Sequence, residues 1–195
     1  GDVVLRPVTF REGLTIRQMA AIFAERGFGS AENFIAAASN PALIRELDPD
    51  ARDLEGYLSP DTYTLPRRTT AGDLVARMVA RFEKALTPEI RQQAAARGLS
   101  VRELVALAAL VEKETAKEEE RPLVAAVYAN RLNIGMPMQA DPTVIYALER
   151  AGLYAGNLTR ANLQFDSPYN TYRYPGLPPG PIAAPATPLA TAAAS

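Results

Sequence analysis

Apolar and polar residues follow a helical period over most of this chain and alternate only near its start. The segment from Val3 to Phe10 alternates weakly and is rich in β-branched residues, which predicts a strand. The next segment has apolar residues every three or four positions, with Thr15 as the N-cap, Gln18 three residues later and Gly27 at the end. This pattern predicts a helix directly after the first strand.

Further helices are predicted where capping residues precede apolar runs and glycine or proline follows them. They run from Ser30 to Ala38, from Thr70 to about Leu86, from Pro88 to Gly98, from Ser100 into a glutamate-rich stretch, from Pro122 to before Gly135, and over Asp141 to Arg150. A strand or extended segment is predicted for residues 54 to 70, which have no helical period. From Tyr154 onward the density of proline excludes long helices and favours loops with short strands.

The order of these elements predicts an α+β fold in two parts. Residues 1–50 are expected to form a small strand and helix module, with a boundary at the polar turn Asp48-Pro49-Asp50. Residues 51–195 are expected to form a mainly helical domain with short strands and a proline-rich C-terminal region. No internal repeat is visible.

Composition narrows the chemistry, because the 195 residues contain no histidine and no cysteine. An imidazole base, a thiol nucleophile, a Ser-His-Asp triad and the usual zinc sites are therefore excluded. No metal site and no cofactor is predicted. Proton transfer near neutral pH would fall to a carboxyl group with a raised pKa, a lysine with a lowered pKa, or a tyrosine.

Net charge and hydropathy exclude two classes of partner. The 21 basic and 22 acidic side chains leave a formal charge of -1, so no positive field favours nucleic acid. No apolar run approaches the roughly 18 residues of a membrane span, and the start of the chain lacks the layout of a signal peptide. The chain as given is expected to be soluble.

Five glutamates crowd the end of one apolar helix, and the helical period separates two of them. At about 100° per residue from Leu104, the apolar stripe centres near ~300° and Glu114 falls near ~280°, whereas Glu112 falls near ~80°. Glu114 is therefore predicted to face the interior, where its carboxyl group would resist ionisation and could donate a proton. Solvated or capping roles are predicted for Glu112.

A structural role for Glu114 is the alternative. A glutamate late in an apolar helix often pairs with an arginine, and Arg121 and Arg131 are the candidates here. The three remaining glutamates precede Pro122, where negative charge favours a helix N-terminus. They are Glu118, Glu119 and Glu120.

Four stretches in order resemble one known family. They are LEGYLSPDTY at 54 to 63, LVEKET at 110 to 115, VYANRLNIGMPMQADPTVIYAL at 127 to 148, and SPYNTYRYPGLPPGPIAAP at 167 to 185. These stretches are similar to the signatures of the YceG-like (MltG) family of endolytic murein transglycosylases. Residues 1–50 resemble the LysM-like region of that family less sharply.

The resemblance implies an enzyme that cuts peptidoglycan between N-acetylmuramic acid and N-acetylglucosamine without adding water. It implies that Glu114, the second glutamate of the EKET motif, is the catalytic acid. Other residues in the shared motifs are expected to position the glycan strand. They are Glu55, Gln139, Asp141, Tyr169, Asn170 and Tyr172.

The resemblance also carries expectations about place and partners. Members of the family begin with one membrane-spanning helix and continue beyond the PIAAP region, so the chain is expected to be a soluble fragment of a protein anchored by an N-terminal helix that is absent here. The resemblance implies action on the outer face of the bacterial cytoplasmic membrane. Peptidoglycan glycan strands are the expected ligand, and cell-wall synthases are the expected protein partners.

Two other functions stay open at the level of sequence. A hydrolytic muramidase would use a second carboxylate, such as Asp141 or Asp61, to activate water or to attack the sugar. A peptidoglycan-binding or scaffolding module without catalysis would depend mainly on residues 1–50. Reducing ends in the product would favour the muramidase, and anhydro ends would favour the transglycosylase.

Overall fold

The computed structural model describes residues 4–186, 191, 192 and 194. In chain order its elements are β1 (Leu5–Phe10), α1 (Ile16–Glu25), α2 (Ala31–Ala38), β2 (Asp61–Pro66), α3 (Ala71–Ala85), α4 (Pro88–Ala96), α5 (Val101–Glu114), α6 (Arg121–Asn133) and α7 (Asp141–Arg150). Short 3-10 helices cover Pro41–Ile44, Glu118–Glu120 and Asn162–Gln164. The fold is helix-rich with one small sheet, so the predicted mixture of helices and strands is confirmed.

Capping side chains explain why the helix starts follow from the sequence. Thr15, Thr70 and Ser100 each accept a hydrogen bond from the backbone N–H three residues later, which satisfies an N–H that the helix itself leaves free. In each case the side chain at that third position also accepts from the cap's own N–H, completing a capping box. These local interactions fix the first turns of α1, α3 and α5.

The two strands form an antiparallel pair that crosses the predicted boundary near residue 50. Val8 of β1 lies opposite Tyr63 of β2, and Phe10 lies opposite Asp61. Val8 and Phe10 are buried, and they belong to the same apolar core as residues of α3 and α5. The two predicted parts thus share a sheet and a core, and their division into domains, with a LysM-like first part, stays a prediction.

Helix α5 runs through the middle of the core. Every residue from Leu104 to Glu112 is buried, so the helix has no solvated face over more than two turns. It packs against α4, α6 and α7. A helix buried on all sides supports the groups at its ends rigidly, and both ends of α5 carry charged side chains.

The proline-rich C-terminal region differs from the prediction of short strands. Between residues 154 and 186 the structure has turns, bends and the 3-10 helix Asn162–Gln164, but no strand. Proline has no N–H to give to a ladder, and this region instead makes isolated backbone bonds. Gly13 N donates to Ala184 O at 2.8 Å and Ala184 N donates to Leu14 O at 2.9 Å. The predicted strand began at Val3, which lies outside the described residues.

Gly56 is the point where the LEGY motif meets this C-terminal region. Its φ is +86°, and a Cβ placed there would lie 2.3 Å from Pro181 Cβ and 3.0 Å from Val105 Cγ1. A proline ring cannot swing away as a flexible side chain can. The motif therefore needs glycine for both its backbone conformation and its close contact.

We expect Gly56→Ala to lower the free energy of unfolding by roughly 3 kcal/mol, combining left-handed backbone strain with overpacking. Gly27→Ala is the matched control, because Gly27 also has a positive φ, +75°, but no atom lies within 4 Å of its added Cβ. That variant should lose only about 1 kcal/mol. Urea denaturation followed by circular dichroism measures both, and equal losses would show that Pro181 does not constrain Gly56.

Candidate active site

The end of α5 places two glutamates in opposite environments, and the structure reverses the prediction from the helical period. The side chain of Glu112 is only 4% exposed, whereas Glu114 is exposed. The prediction that Glu114 faces the interior, and that Glu112 is solvated, was wrong. Because α5 is buried on all sides, the position of its apolar stripe does not predict which flank is exposed to solvent. The helix ends at Glu114, beyond the layer that covers Glu112.

Glu112 ties three segments of the chain together. Its Oε1 accepts from Arg121 Nη2 at 3.0 Å, and its Oε2 accepts from the backbone N of Ala186 at 3.4 Å. Burial raises the pKa of Glu112, and the charge of Arg121 acts in the opposite direction. Arg121, proposed from sequence as a partner of Glu114, is thus the partner of Glu112. This buried pair joins α5, α6 and the C-terminal segment.

Glu114 is exposed but held by one strong contact. Tyr128 on α6 donates a hydrogen bond from Oη to Glu114 Oε2 at 2.9 Å. The Tyr128 side chain is buried, and burial together with the bond to Glu114 raises its pKa well above the usual range. The phenol therefore stays protonated near neutral pH and keeps donating. The contact fixes one carboxyl oxygen of Glu114, while the residue as a whole stays exposed.

A second tyrosine and carboxylate pair lies within the electrostatic reach of Glu114. Tyr172 Oη donates to Asp141 Oδ1 at 2.5 Å. This bond is the main cause that raises the pKa of Tyr172 to about 12, and the negative charge of Glu114 contributes to the rise. The positive charge of Arg131 acts to lower the pKa of both Tyr128 and Tyr172, so this charge lies near both phenols. These five side chains form the candidate site.

Gln139 borders this site on a strained piece of backbone. Its φ is +49°, and among the described residues it is the one non-glycine residue with a positive φ. A left-handed conformation costs a non-glycine residue roughly 1 kcal/mol or more, and such strain is found often at functional sites. Gln139 is exposed, and its backbone N donates to Thr171 O at 3.3 Å. The exposed side-chain amide of Gln139 thus lies on strained backbone, two residues before Asp141.

Asn170 differs from the substrate-contacting role that the motif suggested. It is 0% exposed, and its Nδ2 donates to Leu163 O at 2.9 Å and to Phe165 O at 2.8 Å. Its Oδ1 accepts from the backbone N of Tyr172 at 3.0 Å. Its amide is fully used inside the loop. Asn170 therefore positions Tyr172 and does not face a groove.

Glu55 and Tyr169 lie in a different place from Glu114. Glu55 is 5% exposed, its Oε2 accepts from Ile16 N at 2.9 Å, and burial raises its pKa to about 8. Tyr169 has its ring 5.0 Å from that of Tyr146, centroid to centroid. Within the described part of the chain, no hydrogen bond or ion pair joins this pair of residues to the Glu114 site.

Sequence reasoning missed two residues of the site or named them in another role. Tyr128 was not singled out, although a tyrosine on the buried face of a helix needs a partner for its hydroxyl group, and an exposed carboxylate is a common one. Arg131 was named only as a possible ion partner of Glu114. It instead donates from Nη1 to Met138 O at 2.6 Å, which supports the turn before Gln139.

Metal binding and membrane spanning find no support in the described ranges. Across residues 4–186 and the described tail positions, no cluster of three or more acidic residues is arranged to hold a metal ion. In the same ranges, no helix has both the length and the apolarity needed to cross a bilayer.

Comparison with known proteins places this chain in a described family. The sequence pattern of the YceG-like family matches residues 2–195. The chain belongs to the YceG-like family. The earlier resemblance is confirmed at the level of the family.

Two relatives and one solved structure illustrate the similarity. The chain is 38% identical over 182 residues to an endolytic murein transglycosylase of Streptococcus pneumoniae and 32% identical over 190 residues to one of Bacillus subtilis. In both cases 90% of this chain is covered, and the chain spans 32% and 52% of those relatives. A crystal structure of a yceG-like protein from Listeria monocytogenes superposes with a TM-score of 0.82 at 29% identity, over 98% of this chain and 67% of that chain.

Proposed function

We propose that this chain carries the activity of an endolytic lytic transglycosylase, cutting peptidoglycan glycan strands and leaving anhydro ends. The names of the Streptococcus and Bacillus relatives support the reaction class. The observation that carries the proposal is the placement of Glu114, which is exposed to a ligand while Tyr128 fixes its carboxyl group at 2.9 Å. A catalytic carboxyl group needs both access and a fixed orientation.

Glu114 acts first as a general acid. A glycan strand lying over the end of α5 would bring its glycosidic oxygen within hydrogen-bond reach of the exposed carboxyl group. The acid proton passes to the glycosidic oxygen as the bond from that oxygen to C1 of muramic acid breaks. Positive charge develops at C1 and the ring oxygen, and the leaving sugar departs with its new hydroxyl group.

Glu114 then acts as the base. Its carboxylate takes the proton of the C6 hydroxyl of the same muramic residue, and the C6 oxygen forms the new bond to C1. The product has a 1,6-anhydro ring, no water is consumed, and Glu114 ends protonated as it began. The sugar supplies its own nucleophile. A single carboxyl group therefore suffices for the whole cycle.

The neighbours of Glu114 have distinct roles in this proposal. Tyr128 holds the carboxyl group in one orientation through both steps. Asp141 and Tyr172 form a hydrogen-bonded pair whose remaining lone pairs can accept from sugar hydroxyl groups. The exposed amide of Gln139 can donate and accept at the same edge. These three side chains are the proposed contacts to the strand.

A hydrolytic muramidase is the second candidate, because Asp141 is a carboxylate near Glu114. Asp141 accepts from Tyr172, and that phenol is within the electrostatic reach of Glu114. Asp61, the other candidate carboxylate, forms an ion pair with Arg81 on β2 and α3 and has no contact with this site in the described structure. Of these two candidates, Asp141 is therefore the one that could serve as a second carboxylate.

Analysis of reaction products tests the proposal. The purified chain is incubated with intact glycan strands, and the fragments are separated and weighed by mass spectrometry. A lytic reaction leaves fragments 18 Da lighter than hydrolysis does, because no water is added. We expect cuts inside the strands, each of which leaves a 1,6-anhydro end on one of the two fragments. Reducing ends would establish a hydrolytic muramidase. Strands that stay intact would favour a peptidoglycan-binding module without catalysis.

The proposal extends to place and partners by the family resemblance. Peptidoglycan lies outside the cytoplasmic membrane, so we place the activity on the outer face of that membrane in a protein held by an N-terminal anchor. Cell-wall synthases are the proposed partners, since they make the strands that the enzyme would cut. Fractionation of cells, followed by cross-linking of the protein in intact membranes, tests both points.

A further inference from the structure

Two adjoining cavities lie away from Glu114 and meet at three side chains. Their volumes are about 210 and 300 Å³, and both are lined by Asp53, Glu55 and Arg150. Arg17 and Glu149 line the first cavity, beside the start of α1 and the end of α7. Together the two spaces reach the size of pockets that hold small ligands, roughly 300 to 1,000 Å³.

Glu55 gives these cavities an unsatisfied polar group. Its Oε2 accepts from Ile16 N, but its Oε1 is buried and has no hydrogen-bond partner in the described structure. Buried polar atoms are nearly always paired, so an orphaned one calls for a ligand or water. Burial raises the pKa of Glu55 to about 8, so near neutral pH the carboxyl group is mostly protonated and can donate a hydrogen bond.

Arg150 presents a guanidinium group that is held in place yet open. It lies 5.5 Å from the ring centroid of Tyr146 and 5.7 Å from that of Tyr169. Its Nη1 donates to Tyr146 Oη at 3.0 Å and lies 3.8 Å from Asp53 Oδ2. About half of its side chain is exposed, and a guanidinium group has five N–H donors. The remaining donors suit a carboxylate in a two-point contact.

The aromatic residues here do not favour a sugar. Tyr146 is buried, its ring packs against Tyr169, and Arg150 covers both rings. A saccharide stacks on an open aromatic face, and Tyr146 has none to offer. Tyr169 is half-buried and lines the second cavity, and the prediction from sequence that it contacts the sugar chain stays a prediction. Charged groups dominate this cavity instead.

Charges of both signs line the same space. Arg17 and Arg150 supply two positive charges, and Asp53 and Glu149 supply two negative charges. A ligand with only negative charge would meet the acidic pair, and a ligand with only positive charge would meet the arginines. A molecule that carries both a carboxylate and an amino group matches this arrangement.

We propose that the joined cavities bind the short peptide that peptidoglycan carries on muramic acid, with a peptide carboxylate on Arg150 and Glu55 and a peptide amino group facing Asp53 and Glu149. This proposal rests on the proposed function for the choice of peptide. The loop around Asn170 carries Tyr169 at this cavity and Tyr172 at the Glu114 site, so one segment borders both places.

Calorimetry with a defined peptide tests this binding. The probe is the tripeptide N-acetyl-L-alanyl-γ-D-glutamyl-L-lysine, whose acetyl group stands for the amide link to muramic acid, titrated into the purified chain. We expect saturable binding, weakened at least about tenfold by Arg150→Gln and by Arg150→Lys, since lysine keeps the charge but loses the two-point contact. The exposed Arg160, which lines neither cavity, is the matched control, and Arg160→Gln should bind as the unsubstituted chain does.

A second probe needs no variant. The same tripeptide with both carboxylates converted to amides should lose most of its affinity for the unsubstituted chain, and the sugar oligomer chitotetraose should not compete with the tripeptide. Absence of tripeptide binding, or equal binding of tripeptide and diamide, overturns the inference. If strands are still cut to anhydro ends, the inference fails alone. If the tripeptide binds but no strand is cut, the proposed function fails alone.

Discussion

Glu114→Gln is expected to reduce the rate of glycan-strand cleavage by about 1,000-fold, within the range that a positioned general acid contributes. Glutamine keeps the shape of the side chain and can still accept from Tyr128, so the fold should be unchanged. It has no acid proton to give and no carboxylate to take the C6 proton. Both halves of the proposed reaction are removed by one substitution.

Glu119→Gln is the matched control for this variant. Glu119 is an exposed glutamate five residues further along the chain, in the 3-10 helix Glu118–Glu120. Its loss of charge should leave the rate within about twofold, since Glu119 makes no hydrogen bond or ion pair with the Glu114 site in the described structure. Rates are measured by release of soluble muropeptides over time. Equal rates for Glu114→Gln and the unsubstituted chain would remove Glu114 from the mechanism.

Arg121→Met is expected to lower the free energy of unfolding by about 3 to 5 kcal/mol, because it leaves the buried carboxyl group of Glu112 without its counter-charge. The two side chains are 10% and 4% exposed, so water cannot replace the lost partner. Cleavage per folded molecule should persist, since neither residue touches the Glu114 site. The two variants thereby distinguish the two glutamates of α5: the Glu112 pair affects the free energy of unfolding, and Glu114 affects the rate of cleavage.

Lys117→Met is the control that isolates burial. Lys117 and Glu120 form an ion pair of similar length, 2.9 Å, but their side chains are 66% and 46% exposed. An exposed pair of this kind contributes about 0 to 1 kcal/mol. Urea denaturation at a fixed pH near 7 measures both variants. If the two losses were alike, the Glu112 and Arg121 pair would not behave as a buried one.

Local signals in the sequence were sufficient for the helices. Three helix starts can be predicted from their capping residues, because the capping bonds join residues three positions apart. These caps are Thr15, Thr70 and Ser100. Gly27 and Gly98 follow helix ends with positive φ, as the sequence suggested. No partner from elsewhere in the chain is needed for these features, so they can be predicted without knowledge of the fold.

The surroundings of the glutamates could not be predicted in the same way. Glu112 is buried because Arg121 and Ala186 come to it from other segments, the latter 74 positions away. A helical period describes one helix and carries no information on what covers each side of it. The family motif still directed attention to Glu114, and its partner Tyr128 is visible only once α6 packs on α5.

The motif at Asn170 shows a further limit. Residues in one shared stretch can have unrelated tasks, and here Tyr169, Asn170 and Tyr172 point to a cavity, to the loop interior and to Asp141. A short loop alternates its side chains between faces, so adjacency along the chain does not imply a common ligand. Burial decided between these tasks, and burial is a property of the whole fold.

The backbone bonds between Gly13, Leu14 and Ala184 have a consequence for the integrity of the chain. They join segments from the two halves of the sequence to each other, and both segments also bond to α5, through Lys113 to Gly13 O and through Ala186 N to Glu112. A single break in an exposed connection, such as the one between Gly152 and Gly156, would divide the polypeptide into two pieces that remain interlocked. Cleaved molecules of this protein should therefore keep their shape and travel as one particle.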